Sequence, residues 1–183
     1  MLAAYVRLSS LGFVLADQIR MRCRSSLVLG MAASAFVVWS VLARIDATPR
    51  PTGLYFAFEF FWRGAVYGVV DALLLSAFPG LVALGLMGND ISGWLRRAAY
   101  GALTLVLSVV ITVTYHVGYD DFRNRDLAGP VIGNAIISIP VIATANPIGS
   151  IIAHASMHLA AVTHAYESKD RLPPRVQAGP TRE

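Results

Sequence analysis

Long stretches of this sequence contain no charged side chain, and that feature constrains the fold more than any other. Residues 130–166 contain no Asp, Glu, Lys or Arg, and residues 25–43 are uncharged between Arg24 and Arg44. A helix needs about 20 mostly apolar residues to cross the hydrocarbon of a bilayer. Over all 183 residues only 14% are charged, against about 25% in a typical soluble domain. The sequence therefore predicts an integral membrane protein.

Composition excludes several classes of protein. Hydrophobic residues make up 56% of the chain and the mean hydropathy is +0.59, which argues against a soluble enzyme, a disordered chain and a coiled coil. The formal net charge of +4 and the pI near 9.6 bear on membrane topology, and we expect the bilayer rather than nucleic acid as a partner. The single cysteine, Cys23, excludes an internal disulfide and a cysteine-based zinc site.

The apolar stretches predict an all-α bundle with about six membrane spans. Residues 25–43 and 98–119 each have the length of one span. Residues 51–88 are too long for one straight crossing. We therefore interpret them as a helical hairpin, or as two helices broken near Asp71 or Pro79.

Proline also divides the last uncharged stretch, because it disfavours helix in the residue before it and lacks a backbone donor. We expect residues 130–166 to form two helices that meet near Pro147, so that the transmembrane bundle covers residues 25–166. Arg and Asp residues interrupt the apolar segment of residues 1–24. This pattern predicts a helix at the membrane interface or docked on the bundle. The polar residues 167–183 predict a disordered cytoplasmic tail.

Basic residues flank the predicted bundle and predict that both termini are cytoplasmic, because cytoplasmic flanks carry an excess of Lys and Arg. They precede the first clear span and recur in the tail: Arg20, Arg22, Arg24, Lys169, Arg171, Arg175 and Arg182. An even number of spans agrees with this topology, although Arg96 and Arg97 then fall on the outer side. We expect a multi-pass protein of the cell membrane, and the heavy use of Ala, Gly, Val and Arg indicates a bacterial source.

Ionisable side chains inside the predicted spans point to function, because a charge at mid-helix costs about 2.5–3.5 kcal/mol on insertion scales and is usually paired. Glu59 and Arg63 are four residues apart among Phe and Trp. They share a helix face and form either a structural ion pair or part of a site. Asp71 lies about 80° round a continuous helix from Arg63. We interpret it as the turn of the hairpin rather than as a member of a polar seam.

Histidines form the second group of candidates. His154 and His158 are four apart on one predicted helix face. Two imidazoles there can ligate a metal, or one can act on water while the other orients a group; hydrogen-bonded packing is the alternative. His116 ends a span, where a lone histidine is more typical of an interface or of a charge at a helix C-terminus. His164 is expected to be interfacial.

These glutamate, arginine and histidine side chains suggest one polar cavity inside the bundle. Glutamate beside histidine is a common arrangement for activating water. Hydrolysis of a peptide also needs a donor that stabilises the oxyanion. That donor is a histidine or one of three polar side chains nearby: Asn146, Ser150 and Ser156.

The order of these residues resembles the CPBP family, the CAAX-protease and bacteriocin-processing (Abi) intramembrane proteases. That family has Glu-Glu-x-x-x-Arg-Gly on one helix, Phe-x-x-x-His on a later one, and a helix led by Gly-Ser that carries His-x-x-x-Asn or Asp. Residues 59–64 (Glu-Phe-Phe-Trp-Arg-Gly) resemble the first motif, and residues 112–116, ending in His116, resemble the second. Residues 149–150 (Gly-Ser), followed by the two downstream histidines, resemble the third.

The resemblance covers roughly residues 55–162, with named departures. Phe58 stands where the family has the first glutamate of its pair, and Thr112 replaces the phenylalanine of the second motif. In the third motif, either His154 is the motif histidine and His158 stands at the Asn/Asp position, or His158 is the motif histidine and a valine stands there.

The resemblance implies a membrane-embedded endopeptidase that cuts a membrane-associated peptide or protein near the membrane face. Glu59 and His116 would activate water, and Arg63 would keep Glu59 ionised. His154 or His158 would support the oxyanion or a metal. Glu59 with the three histidines would form a ligand set for zinc, and the sequence leaves open whether a metal is used.

Two other functions stay open. A catalytically inactive relative would serve as a membrane scaffold or immunity protein, which the loss of a glutamate at Phe58 favours. A small transporter or a membrane protein that binds haem or metal would use His116 and His154 as ligands, or Asp71 and Glu59 as a proton path.

Overall fold

The structure, a computed structural model, describes residues 2–118 and 127–167, and in these ranges the regular elements are all helices. This confirms the predicted all-α class for the described part of the chain. We number the helices α1 to α7 in chain order: Leu2–Ser9, Leu15–Arg20, Cys23–Arg44, Gly53–Leu86, Gly93–Val117, Ala128–Thr144 and Ile148–His164.

Helices α3, α4 and α5 are long and apolar enough to cross a membrane, and α6 is a shorter apolar helix. Large apolar side chains such as Trp39, Phe61 and Val110 are exposed on the outside of these helices. An outer surface of this kind is typical of contact with lipid, which supports the predicted membrane character. The six-span count is not confirmed, because the described residues contain five helices of 17 residues or more.

The predicted break in residues 51–88 is wrong, since α4 is one continuous helix of 34 residues. Instead of a break, α4 contains two π-helical segments, Phe60–Val66 and Leu73–Ala77. In an α-helix a turn takes about 3.6 residues, so side chains four apart are gradually displaced around the helix axis. A π-helical turn takes more residues and keeps side chains spaced four apart closer to one face of α4. Asp71 therefore lies within a helix and does not mark a hairpin turn.

Hydrogen bonds from neighbouring helices explain why Pro79 does not break α4. Proline has no N–H to donate to the carbonyl of Leu75, four residues earlier. That carbonyl accepts a hydrogen bond from Ser108 Oγ on α5 at 2.6 Å and another from Asn134 Nδ2 on α6 at 3.3 Å. The helix continues because other helices supply the missing donors.

Helix α7 lies at the centre of the bundle and packs against α3, α4 and α6. It runs parallel to α3. Ser26 Oγ accepts a hydrogen bond from the Gly149 amide and donates one to the Asn146 carbonyl, both at 3.0 Å. At the other end, a ring nitrogen of His164 lies 3.0 Å from the Ile45 carbonyl. His164 is thus bonded within the protein as well as near a helix end.

Helix α4 runs antiparallel to α7, and two glycines permit close approach. A Cβ at Gly68 would lie 2.7 Å from Ala155 Cα, and one at Gly64 would lie 2.7 Å from a side-chain carbon of Leu159. Small residues four apart allow helix backbones to pack this closely in membranes. This contact brings the polar face of α4 against the histidines of α7.

The order of the helices determines which basic residues share an end of the bundle. Because α4 runs only once along the bundle, the start of α5 lies at the same end as the starts of α3 and α7. Five arginines therefore belong to one end: Arg20, Arg22, Arg24, Arg96 and Arg97. The end of α7, which leads to the predicted tail, belongs to the other end. Among the described residues α3 therefore starts at one end of the bundle and α7 finishes at the other, and a shared cytoplasmic side for both termini is not confirmed.

The N-terminal segment docks on the bundle. Leu8 and Phe13 are buried in a core cluster with residues of α4 and α5. Gln18 Nε2 donates to the Ala145 carbonyl at 2.6 Å, and Asn146 Nδ2 donates to carbonyls of residues 18, 19 and 21. The amide of Asn146 is thus committed to fastening this segment and is not a free oxyanion donor. Residues 168–183 of the predicted tail lie outside the described residues.

Candidate functional site

Buried polar side chains and exposed aromatic ones occupy opposite faces of α4. Glu59, Arg63 and Asp71 are buried, whereas Phe58 and Trp62 are 56% and 51% exposed. The two aromatic rings stack with their centroids 6.4 Å apart. These two aromatic side chains beside Glu59 therefore face outward. Phe58, at the position of the missing family glutamate, also points away from the buried face.

The first polar group joins α4 to the end of α7. Arg63 Nη1 donates to Glu59 Oε2 at 3.2 Å, and Tyr166 Oη donates to the same oxygen at 3.3 Å. The Arg63 guanidinium also lies over the Tyr166 ring, 5.3 Å from its centroid. The Glu59–Arg63 pair expected from the four-residue spacing is present, and both side chains are buried.

The second polar group contains Asp71 and two histidines of α7. Asp71 Oδ2 lies 3.2 Å from His158 Nε2. The His154 and His158 rings stack, with centroids 5.4 Å apart and planes at 22°. One potential ligand atom from each of the three residues lies within 4.8 Å of the others. Their exposed fractions are only 6%, 3% and 3% for Asp71, His154 and His158.

Several ring nitrogens of the two histidines in this second group lack hydrogen-bond partners. Nδ1 of His154 and both ring nitrogens of His158 are buried without a hydrogen-bond partner among the described residues. The Asp71 carboxylate is within ion-pair distance of His158, but not in hydrogen-bond alignment. Buried polar atoms left unpaired cost about 1–3 kcal/mol each. The alternative for this histidine pair, packing in which the ring nitrogens are hydrogen-bonded, does not apply to these three nitrogens.

Two tyrosines hold the other side of the Asp71 carboxylate. Tyr115 Oη donates to Asp71 Oδ1 at 3.3 Å, and the hydroxyls of Tyr115 and Tyr67 are 2.8 Å apart. The Tyr67 ring also packs against His158, with centroids 5.9 Å apart. These contacts come from α4 and α5. They orient Asp71 so that its oxygen Oδ2 faces His158.

His116 lies near this group without belonging to the closely spaced set. Its Nδ1 is 2.8 Å from the Thr112 carbonyl on the same helix. Its ring packs edge-on against Tyr115, with centroids 5.4 Å apart, and Tyr115 in turn donates to Asp71. Thr112 itself is fully buried and accepts a hydrogen bond from Asn134 Nδ2 at 2.7 Å.

The predicted catalytic set is thus divided between two groups. Glu59 and Arg63 form the first with Tyr166, and His154 and His158 form the second with Asp71. Glu59 precedes Asp71 by 12 residues, which is about three turns of the helix. Among the described residues, the potential metal ligands that lie within 4.8 Å of one another include Asp71 and exclude Glu59 and His116.

The sequence pattern assigned Asp71 to a turn and did not identify a network of small polar residues. The network lies at the centre of the bundle and consists of Ser76, Ser108, Thr112, Asn134 and Ser138. A signal was available, since Ser108, Thr112 and His116 recur every four residues and share a face of α5. Asp71 likewise continues the four-residue spacing that begins at Glu59.

Comparison of the chain with protein-family models, with curated proteins and with solved structures found no match. The resemblance to the CPBP family accordingly rests on the motifs quoted from the sequence.

Proposed function

We propose that this chain is a multi-pass membrane hydrolase that cuts a peptide bond of a membrane-associated peptide or protein. The observation that carries the proposal is the buried group of Asp71, His154 and His158 with unpaired imidazole nitrogens. Ionisable residues within a membrane are costly and usually mark functional sites. The CPBP resemblance of the sequence supports the same reaction class.

In the proposed reaction, a water molecule held by this group attacks the carbonyl carbon of the peptide bond. The water oxygen forms the new C–O bond, the C–N bond breaks, and a proton passes to the leaving amine. Groups with available lone pairs are needed to bind and activate that water, and the second polar group offers them. Glu59 and Arg63 hold α4 against the end of α7, and His116 remains a candidate for proton transfer.

The depth of the site favours cleavage within the membrane rather than at its face. His154 and His158 are each six residues from an end of α7, so they lie at the middle of that helix. A substrate segment would have to enter the bundle to reach them. This differs from the position near the membrane face that the family resemblance implies.

A metal-binding membrane protein without hydrolytic activity is the second candidate. It is favoured by the same close approach of three potential ligand atoms. Haem ligation by His154 and His158 together is disfavoured, because the two stacked rings project from one helix and cannot bind opposite faces of one porphyrin.

We further propose that the chain lies in the cell membrane of a bacterium, with Cys23 and Arg50 on opposite sides because α3 separates them. Basic residues flank both ends of the bundle, so a labelling experiment decides which end is cytoplasmic. In intact cells, Cys23 of the wild type or Arg50→Cys in a Cys23→Ser background should react with a membrane-impermeant maleimide, but not both. Reaction of both positions, or of neither, would contradict a membrane crossing by α3.

Mass spectrometry of protein N-termini in membranes tests the hydrolase proposal. We expect new N-termini in a bacterial host that expresses the wild type, and their loss with Asp71→Asn or His158→Gln. Asp90→Asn and His164→Gln are matched controls that should keep them. The Glu59→Gln variant tests the role implied by the family resemblance. Identical N-termini with the wild type, Asp71→Asn and His158→Gln would overturn the proposal.

A further inference from the structure

We propose that Asp71, His154 and His158 bind a divalent transition-metal ion of the zinc class. The inference rests on the proposed function insofar as it names the cofactor of the same site. It concerns a ligand set that includes Asp71 and omits Glu59, unlike the set expected from the sequence.

The spacing of the three residues suits such an ion. Zinc binds histidine nitrogen at about 2.0–2.1 Å and carboxylate oxygen at about 2.0–2.2 Å, usually in a tetrahedron. Two ligand atoms of that tetrahedron are then about 3.3 Å apart. The Asp71–His158 separation of 3.2 Å already matches this value. The remaining ligand atoms lie within 4.8 Å, so small rotations of the imidazoles would complete the site.

The unpaired imidazole nitrogens supply the second, independent reason. A neutral imidazole binds a metal through a nitrogen that carries no proton. His154 Nδ1 and the ring nitrogens of His158 are buried and lack hydrogen-bond donors or acceptors among the described residues. An ion bonded to one nitrogen of each ring would satisfy atoms that the surrounding helices leave unpaired.

The chemical types of the three ligands also suit zinc. Two imidazoles and one carboxylate are ligands that zinc accepts, and sites with three protein ligands keep a fourth position for water. Tyr115 donates to Asp71 Oδ1 and leaves Oδ2 for the ion. Hydrogen bonds of this kind orient metal-binding carboxylates. A single negative charge from Asp71 leaves the zinc site with one net positive charge, which lowers the pKa of bound water.

The other candidate ligands are already engaged. Glu59 accepts hydrogen bonds from Arg63 and Tyr166, and these contacts hold it in the first polar group. If zinc is bound, it would supply Lewis-acid activation of the attacking water. The three ligands would hold the ion, and the proton of that water would pass to the leaving amine, for which His116 is the candidate carrier.

Metal titration of the purified full-length chain tests the inference. Protein in detergent is stripped with a chelator and titrated with Zn²⁺, and bound metal is measured by mass spectrometry. We expect one ion per wild-type chain. Asp71→Asn, His154→Gln and His158→Gln should weaken binding by at least about 100-fold, more than the loss typical of an outer-shell residue. Glu59→Gln and His164→Gln should change it by less than about threefold.

Several results would overturn the inference. These are the absence of stoichiometric Zn²⁺ in the wild type, loss of affinity in Glu59→Gln equal to that in Asp71→Asn, or unchanged affinity in the histidine variants. X-ray absorption of the wild-type complex gives a test that needs no variant to fold. We expect nitrogen and oxygen ligands with two imidazoles, and a spectrum with fewer than two imidazoles would contradict the site.

The two proposals fail in different ways. Zn²⁺ binding by the three residues without new N-termini in membranes would retain the metal site and refute the hydrolase. New N-termini that persist in chelator-stripped protein reconstituted in vesicles, and that still depend on His158, would retain the hydrolase and refute the metal.

Discussion

The two polar groups along α4 contain similar residues, but they differ in whether their buried polar atoms have hydrogen-bond partners. In the first, Glu59 is paired by Arg63 and Tyr166 within hydrogen-bond distance. In the second, Asp71 is held by Tyr115, but the imidazoles facing it keep unpaired nitrogens. Both groups are buried in a bundle with an apolar outer surface. The hydrogen bonds of the first group are those of a group that stabilises the fold, and the unpaired nitrogens of the second are the basis of the proposal that it binds a ligand.

This comparison predicts opposite responses to mutation. Removing a partner from a satisfied group leaves a buried charge, which destabilises the protein. Replacing a histidine of the second group deletes ring nitrogens that have no hydrogen-bond partner among the described residues, so stability should change little while ligand binding is lost. Mutations in the first group should therefore lower stability, and mutations in the second group should abolish ligand binding.

The largest effect on stability is expected for Arg63→Met. This variant leaves the Glu59 carboxylate buried without its cation and should lower the free energy of unfolding by about 3–5 kcal/mol. Reversible unfolding in detergent or bicelles measures the change. The double variant Glu59→Gln/Arg63→Met is the control and should recover most of the loss, because no buried charge remains. Equal stability of the wild type and Arg63→Met would contradict a stabilising role.

A somewhat smaller effect is expected when Zn²⁺ is added to the wild type. A ligand at 100 times its dissociation constant stabilises the native state by about 2.7 kcal/mol. Asp71→Asn should lose this gain, while its stability without metal stays within about 1 kcal/mol of the wild type. The Asp90→Asn variant should retain the gain, because Asp90 is in an exposed ion pair with Arg96. Stabilisation of Asp71→Asn to the same extent would remove the distinction between the two groups.

The third effect concerns the polar network and is smaller again. Ser108→Ala removes the 2.6 Å hydrogen bond to the Leu75 carbonyl and should cost about 1 kcal/mol, within the range for interhelical hydrogen bonds in membranes. Thr114→Val is the control, because its hydroxyl bonds a carbonyl of its own helix on the exposed side. Thermal unfolding with both variants tests this. Unchanged stability in Ser108→Ala would show that the Leu75 carbonyl needs no donor from α5.

The sequence predicted helices correctly where length and hydropathy determine their position. It was wrong where hydrogen-bond donors from distant parts of the chain determine whether a helix continues. Residues 25–43 and 98–119 correspond to Cys23–Arg44 and Gly93–Val117. Local rules favoured a break at Pro79, but donors from Ser108 and Asn134, on helices far along the chain, maintain α4. No local pattern contains that information.

This one error led to two others. A break in α4 adds a crossing, which puts Arg96 and Arg97 on the opposite side from the arginines before α3 and leaves a conflict with the placement of positive charge. One continuous helix puts Arg96 and Arg97 at the same end as the arginines before α3, and the end of α7 at the other. It also makes Asp71 an interior residue facing α7 rather than a turn. The Glu59–Arg63 pair was predictable because both partners lie on one helix, whereas Asp71 meets its histidines only after α4 and α7 pack.

The smallest effect is expected at Phe58, where the family resemblance would suggest a large one. The side chain is exposed and stacks on Trp62, on the face of α4 opposite both polar groups. Phe58→Leu keeps an apolar surface and should change the free energy of unfolding by no more than about 0.5 kcal/mol. Zn²⁺ affinity and the proposed cleavage, measured beside Glu59→Gln, should also stay within about twofold. A strong loss of cleavage in Phe58→Leu with normal Zn²⁺ binding would assign this outer face to the substrate, because a role in the buried groups is excluded by its direction.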